Sequence, residues 1–256
     1  MSPASHASDF QLPSSKLKKV GYDMSKEVDV ELVLAVDISQ SMDTDEQEVQ
    51  RAGYVDAITS PEFLQAVQYG PLGRIAITYI EWGGIGQHYT VANWSVIDNA
   101  DTAEAFASSI AEAPLRQVRR TSISAALAHS VQLFDANEYN GLRKVIDISG
   151  DGPNNQGGSV TRARDLSLQT GVTINGLPLM MSDKPSTWQS VMNLDHYYED
   201  CVIGGPGSFA IPVRSKQAFA AAIRMKLVME IAGLTFEKPL VHRASARKRV
   251  RCSLFN

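Results

Sequence analysis

Near-continuous apolar runs alternate with amphipathic stretches along this 256-residue chain. The runs ELVLAV (31–36), RIAITYIEW (74–82), KVIDIS (144–149) and VTINGLPLM (172–180) predict strands covered on both faces, the pattern of a parallel sheet held between helices. HYTVANWSVI (88–97) follows the Gly-rich turn WGGIGQ and predicts an antiparallel partner for the second run. FAIPV (209–213) predicts a sixth strand, placed at an edge by Pro212, whose missing N–H a central strand would not tolerate.

Between the runs the period changes. In SISAALAHSVQLF the residues Ile123, Ala126, Leu127, Ser130, Val131 and Phe134 form one apolar stripe of a helix. DTAEAFASSIAEA (101–113) and TRARDLSLQTG (161–171) are helical by propensity, and SKQAFAAAIRMKLVMEIAG (215–233) places Phe219, Ile223, Leu227 and Ile231 four apart before Gly233. Alternating strands and helices predict one α/β domain over residues 28–234, three layers deep, with a mostly parallel six-stranded sheet and one antiparallel edge strand. A polar leader (1–27) precedes it and a basic tail (235–256) follows; the tail lacks the interleaved aromatics of a nucleic-acid arm and reads as solvated.

Composition narrows the classes without choosing among them. With 44% hydrophobic and 20% charged residues and a net charge of −4, the chain has enough apolar content for a core and no basic field for nucleic acid or anionic membranes. No stretch reaches the roughly 18 to 20 apolar residues of a membrane helix, and the first 28 residues lack the apolar run of an export signal. As written the chain is therefore expected to be soluble and cytoplasmic, and exported only if its start is misassigned or trimmed. Cys201 and Cys252 are too few for a disulfide framework and lack zinc spacing, so two free thiols are expected.

The candidate chemistry sits just past three strand ends, where ligands bind in open α/β sheets. Asp37-Ile-Ser39-Gln-Ser41 continues the first strand, and its period-two spacing aims Asp37, Ser39 and Ser41 the same way. Thr44-Asp-Glu-Gln47 then reads as a capping box. Arg119-Arg120-Thr121-Ser122 opens the striped helix, where Thr121 by itself reads as an N-cap. Ser149-Gly150-Asp151-Gly152-Pro153-Asn154-Asn155 follows KVIDIS, and by itself reads as a turn. Together the loops offer two carboxylates and three hydroxyls without His or Cys, a donor set for Mg²⁺, Mn²⁺ or Ca²⁺.

DISQS, then Thr121, then GDG resemble the metal-ion-dependent adhesion site of von Willebrand factor type A domains, in that chain order. IAITYIEWGG, VIDISGDGPNNQG and CVIGGPGSF are similar to an uncharacterised bacterial branch of that superfamily, a domain of unknown function. The resemblance implies a Rossmann-like sheet in which Asp37, Ser39, Ser41, Thr121 and Asp151 hold a divalent cation, directly or through water. A protein partner's Asp or Glu would complete its shell. Arg119 and Arg120 stand where many such domains carry Gly, two cations that either repel the metal or recruit an acidic ligand. The other readings are a scaffold that does not use metal and a Mg²⁺-dependent phosphatase-like hydrolase. The hydrolase would need a second acid two residues beyond Asp37, where Ser39 stands, so no enzymatic activity is expected. Trp82 and Trp94 read as packing, Asp147 as a buried hydrogen-bonded carboxylate, and the cluster from Asp195 to Asp200 carries no assigned chemistry.

Overall fold

The computed structural model describes residues 24–181, 193–233 and 248–255; the leader up to residue 23 and the tail from 234 to 247 lie outside the described residues. Its sheet has the order β3-β2-β1-β4-β5, formed by β1 (Glu27–Asp37), β2 (Ile75–Trp82), β3 (His88–Ile97), β4 (Asn140–Gly150) and β5 (Val172–Pro178). β1 pairs in parallel with β2 and β4, β4 in parallel with β5, and only β3 runs antiparallel, as its Gly-rich turn predicts.

β1 is buried from Val28 to Asp37, and its alternation divides the core. Val30, Leu32, Leu34 and Val36 face α1 (Thr44–Thr59), α2 (Pro61–Gln68), α3 (Ala100–Ala111) and α7 (Phe219–Ala232). Val33 and Ala35 face the other layer, α4 (Ile123–Ala136), α5 (Val160–Leu168) and α6 (Leu194–Tyr197), which runs on into a single π-helical turn, Tyr198–Val202. Each fully buried Leu or Val stabilises by roughly 1.5–3 kcal/mol. The same alternation sends Asp37, two residues past Ala35, toward the α6 side. α7 begins at Phe219, after a 3-10 turn (Lys216–Ala218), and so starts later than its sequence pattern suggests.

The expected sixth strand is absent among the described residues. Segment 209–213 lies beside β5, joined only by parallel bridges at Gly176–Ala210 and Leu179–Val213. Ile211 N–H donates to Gly176 O and Val213 N–H to Pro178 O, both at normal length. The amide that would connect these two bridges belongs to Pro178, which has none. A proline in β5, not Pro212, interrupts the ladder.

The cysteines are also not free: Cys201 and Cys252 form a disulfide with Cα atoms 5.6 Å apart. Spacing alone did not reveal it because 51 residues separate the pair. The chain end beyond residue 248 is accordingly not a solvated tail. Val250 N–H donates to Asp200 Oδ2 at 2.8 Å, and the Phe255 ring packs edge-on to Tyr197 at 5.2 Å.

Between β4 and α7 lies a buried charge cluster. Lys226, with no exposure, bridges Asp147 on β4 and Glu230 one turn along its own helix. Asn175 Nδ2 also donates to Glu230 Oε1, at 3.0 Å. Burial, then the Asp147 charge, pushes the Glu230 carboxyl up to about 7.

Candidate metal site

The candidate residues meet at the carboxyl end of β1 and β4. Asp37, the last residue of β1, is completely buried; its Oδ1 accepts the Ser39 N–H at 2.8 Å. The Ser39 and Ser41 hydroxyls lie 2.9 Å apart, and Ser41 Oγ donates to Asp151 Oδ1 at 2.6 Å. Burial falls along this chain of oxygens from enclosed Asp37 and Ser39 through half-buried Asp151 to exposed Ser41, so the cluster opens to solvent on one side.

Thr121 reaches the same end of the sheet by other means. Val118 N–H donates to Ile38 O at 3.0 Å, continuing β1 into a short bridge with the loop that carries Thr121. Asn155 then clamps Thr121 from both ends: Thr121 N–H donates to Asn155 Oδ1 and Asn155 N–H to Thr121 O, each at 2.9 Å. Ser122, not Thr121, caps α4, its Oγ accepting the Ala125 N–H at 3.3 Å. The Thr121 side chain is almost fully buried yet enters none of the hydrogen bonds that join the other four among the described residues. Below the loop, Arg51 of α1 is paired with buried Glu81 of β2 and donates to the carbonyls of Ala113 and, at 3.4 Å, Pro114.

The electrostatics are those of a site short of positive charge. Burial raises the Asp37 carboxyl well above the usual range, and the Asp151 carboxylate raises it further; hydrogen bonding from Ser39 and the Asp151 backbone pulls the other way. Asp37 Oδ2 is buried without a hydrogen-bond partner among the described residues. A Cβ placed on Gly150 would meet that oxygen at 3.0 Å, and the Tyr198 hydroxyl at the same distance. An orphaned buried carboxylate oxygen beside a second carboxylate and two hydroxyls fits a hard divalent cation. No group of three or more His, Cys, Asp or Glu placed to hold a metal ion occurs among the described residues, and the set of two carboxylates and three hydroxyls needs none.

Sequence reasoning missed two supports of this site, Tyr198 and Glu81, and read a third, Asn154, foremost as a turn residue. Tyr198 lies in the Asp195-to-Asp200 cluster and brings a buried phenol beneath Gly150, its hydroxyl 3.5 Å from the Gly150 carbonyl. Glu81 carries the one visible signal, an acid inside an otherwise apolar run. Asn154, read as part of a turn, is fully buried and accepts the Ser124 N–H at 3.0 Å. The expected capping box also shifts by one residue: Asp43 is the N-cap and exchanges hydrogen bonds with Glu46, which makes Thr44 the first helical residue.

Arg120 has φ of +74°, the only described non-glycine residue in the left-handed region. That conformation costs an L-residue about 1–2 kcal/mol and explains why glycine suits the position. Arg120→Gly should therefore stabilise the protein by about 1 kcal/mol in urea unfolding, after the entropy that glycine adds to the unfolded chain. Unchanged or lower stability would mean that the Arg120 side chain compensates for its backbone.

A family model described as "Protein of unknown function (DUF1194)" matches residues 27–235. No curated protein matches the sequence. Among solved structures, the pilus adhesin SpaC from Lactobacillus rhamnosus GG superposes with a TM-score of 0.59 at 14% identity, over 80% of this chain and 30% of that one. Proximal thread matrix protein 1 from the mussel byssus, described with a zinc-occupied MIDAS motif, gives 0.54 at 17% identity, over 80% and 48%. The vWF domain of the type V pili tip protein Mfa5 from Porphyromonas gingivalis gives 0.55 at 9% identity, over 81% and 97%. This chain thus spans about a third of SpaC and half of the byssus protein, and at these identities the likeness carries the fold alone, that of a von Willebrand factor type A domain.

Proposed function

This chain belongs to the DUF1194 family of proteins of unknown function, and from that premise we propose that it is a binding module, not an enzyme, whose divalent cation captures an acidic residue of a protein partner. The observation that carries this reading is the buried, unpartnered Asp37 Oδ2 beside Asp151. Asp37, Ser39, Ser41, Thr121 and Asp151 would hold Mg²⁺, Mn²⁺ or Ca²⁺. The cation would supply Lewis acidity to a carboxylate from outside, because three neutral hydroxyls leave its charge incompletely neutralised. Asn154 and Asn155 fix the two loops that carry Thr121 and Asp151. Exposed Arg119 and Arg120 would steer an acidic partner toward the open side.

The adhesin and pilus-tip relatives support a role in protein interaction. The Cys201–Cys252 disulfide supports action in an oxidising, exported setting, since such bonds are rare in the reducing cytosol. No described helix is long and apolar enough to cross a membrane. The test is calorimetric titration of Mg²⁺, then Mn²⁺, into chelator-treated protein. Saturable binding at one site per chain is expected; no heat and no shift in melting temperature with either ion would favour a scaffold that does not use metal.

A further inference from the structure

The disulfide lies close to the candidate site, and two routes connect them. Cys201 belongs to the π-helical turn Tyr198–Val202, whose first residue sits under Gly150, next to Asp37. Cys252 anchors residues 250–255 against α6. There the Phe255 carbonyl accepts a hydrogen bond from Asn154 Nδ2 at 3.2 Å, and the Phe255 ring packs on Tyr197, whose hydroxyl accepts the Asn154 N–H at 3.1 Å. Asn154 is thus held by the chain end and by α6 at once. Its Oδ1 receives the Ser124 N–H from the first turn of α4, and the next residue, Asn155, clamps Thr121.

We infer that the chain end 250–255, latched by the Cys201–Cys252 bond, is a positioning element of the metal site. It holds Asn154 and through it both the Thr121 and the Asp151 loops, so that the site is sensitive to thiols. Metal capture rests on the function proposed above; the control of loop order does not. A dithiol reductant would transfer two electrons and two protons to the bond, leaving two thiols here and a disulfide on the reductant. The 3.2 Å carbonyl contact and the ring contact at Tyr197 would then depend on a tethered end no longer fixed 5.6 Å from Cys201.

The experiment compares oxidised wild type, dithiothreitol-reduced wild type and Cys252→Ser, with circular dichroism verifying that each stays folded. Amide hydrogen exchange is read at Thr121, Ser124, Asn154 and Asn155, and Mn²⁺ affinity by calorimetry. Tenfold or faster exchange at these amides in both altered forms is expected, with β1 and β4 unchanged and protection restored by reoxidation. Mn²⁺ affinity should fall by about 10-fold or more, as when groups that orient metal ligands are removed. Unchanged exchange at the four amides in folded reduced protein overturns the inference whatever the metal does, and so does a uniform rise across the whole domain. Oxidised protein that binds no Mn²⁺ while these amides respond to reduction would refute the metal reading and leave the latch standing.

Discussion

Asp37→Asn is expected to lose at least 100-fold in Mn²⁺ affinity while the protein remains folded and becomes no less stable without metal. Asparagine keeps the oxygen that accepts the Ser39 N–H and removes a charge that is completely buried beside Asp151. Without a cation that charge is a liability, because a buried carboxylate with an orphan oxygen has lost its hydration and gained nothing equivalent. The two readouts therefore move in opposite directions, and a general folding defect would lower both. Calorimetric titration and urea unfolding on the same preparations decide the matter. A mutant that binds Mn²⁺ like wild type sinks the site assignment, and one that unfolds in buffer shows that Asp37 serves the fold.

The second large effect belongs to the α7 face of the sheet, where Asp147 lies three residues before Gly150 on β4. Lys226→Met should cost about 3–5 kcal/mol at neutral pH, the usual penalty for leaving buried carboxylates without their cation. The loss should shrink as pH falls and Asp147 and Glu230 take up protons. Glu230→Gln is the complementary test. The Glu230 carboxyl is raised from 4.5 to about 7, so its contribution to stability is full below 4.5 and is lost as pH rises through about 7. Glutamine keeps an oxygen for Lys226 and Asn175, and should remove that pH dependence, adding on the order of 3 kcal/mol above pH 7. Urea midpoints measured between pH 5 and 9 check both variants; a wild type with flat stability across that window would mean that the cluster is already compensated.

Much of the fold was legible because both-face burial leaves an unambiguous trace: runs such as ELVLAV admit few alternatives, and the Gly-rich turn orients β3. The sixth strand failed for a reason that a one-strand view does not show, since the deciding proline lies in the neighbour. The candidate residues Asp37, Ser39, Ser41, Thr121 and Asp151 stood out as a set because strand ends concentrate them, and the structure brings them to one end of the sheet. Asn154 and Asn155 read foremost as turn residues and Tyr198 carried no assigned role, because the contacts through which all three act lie 30 or more residues away in sequence. The disulfide joins residues 51 apart, and no local pattern announces that. The buried cluster was half visible: Asp147 stood out in an apolar strand, whereas Lys226 looked like one more cation on a helix.

The interrupted ladder beside β5 bears on how copies of this protein can meet. Ile211 and Val213 point their amides at β5, so the amide at position 212 would face outward, and there the chain has a proline. A strand from another molecule seeking to extend the sheet at this margin would find a gap in the row of donors and an irregular segment in place of a flat template. Growth into fibrils by edge-to-edge pairing is thus blunted on this side. If the protein meets partners through the Asp37–Asp151 cluster, as proposed above, it would do so without this margin of its sheet offering them a second way to attach.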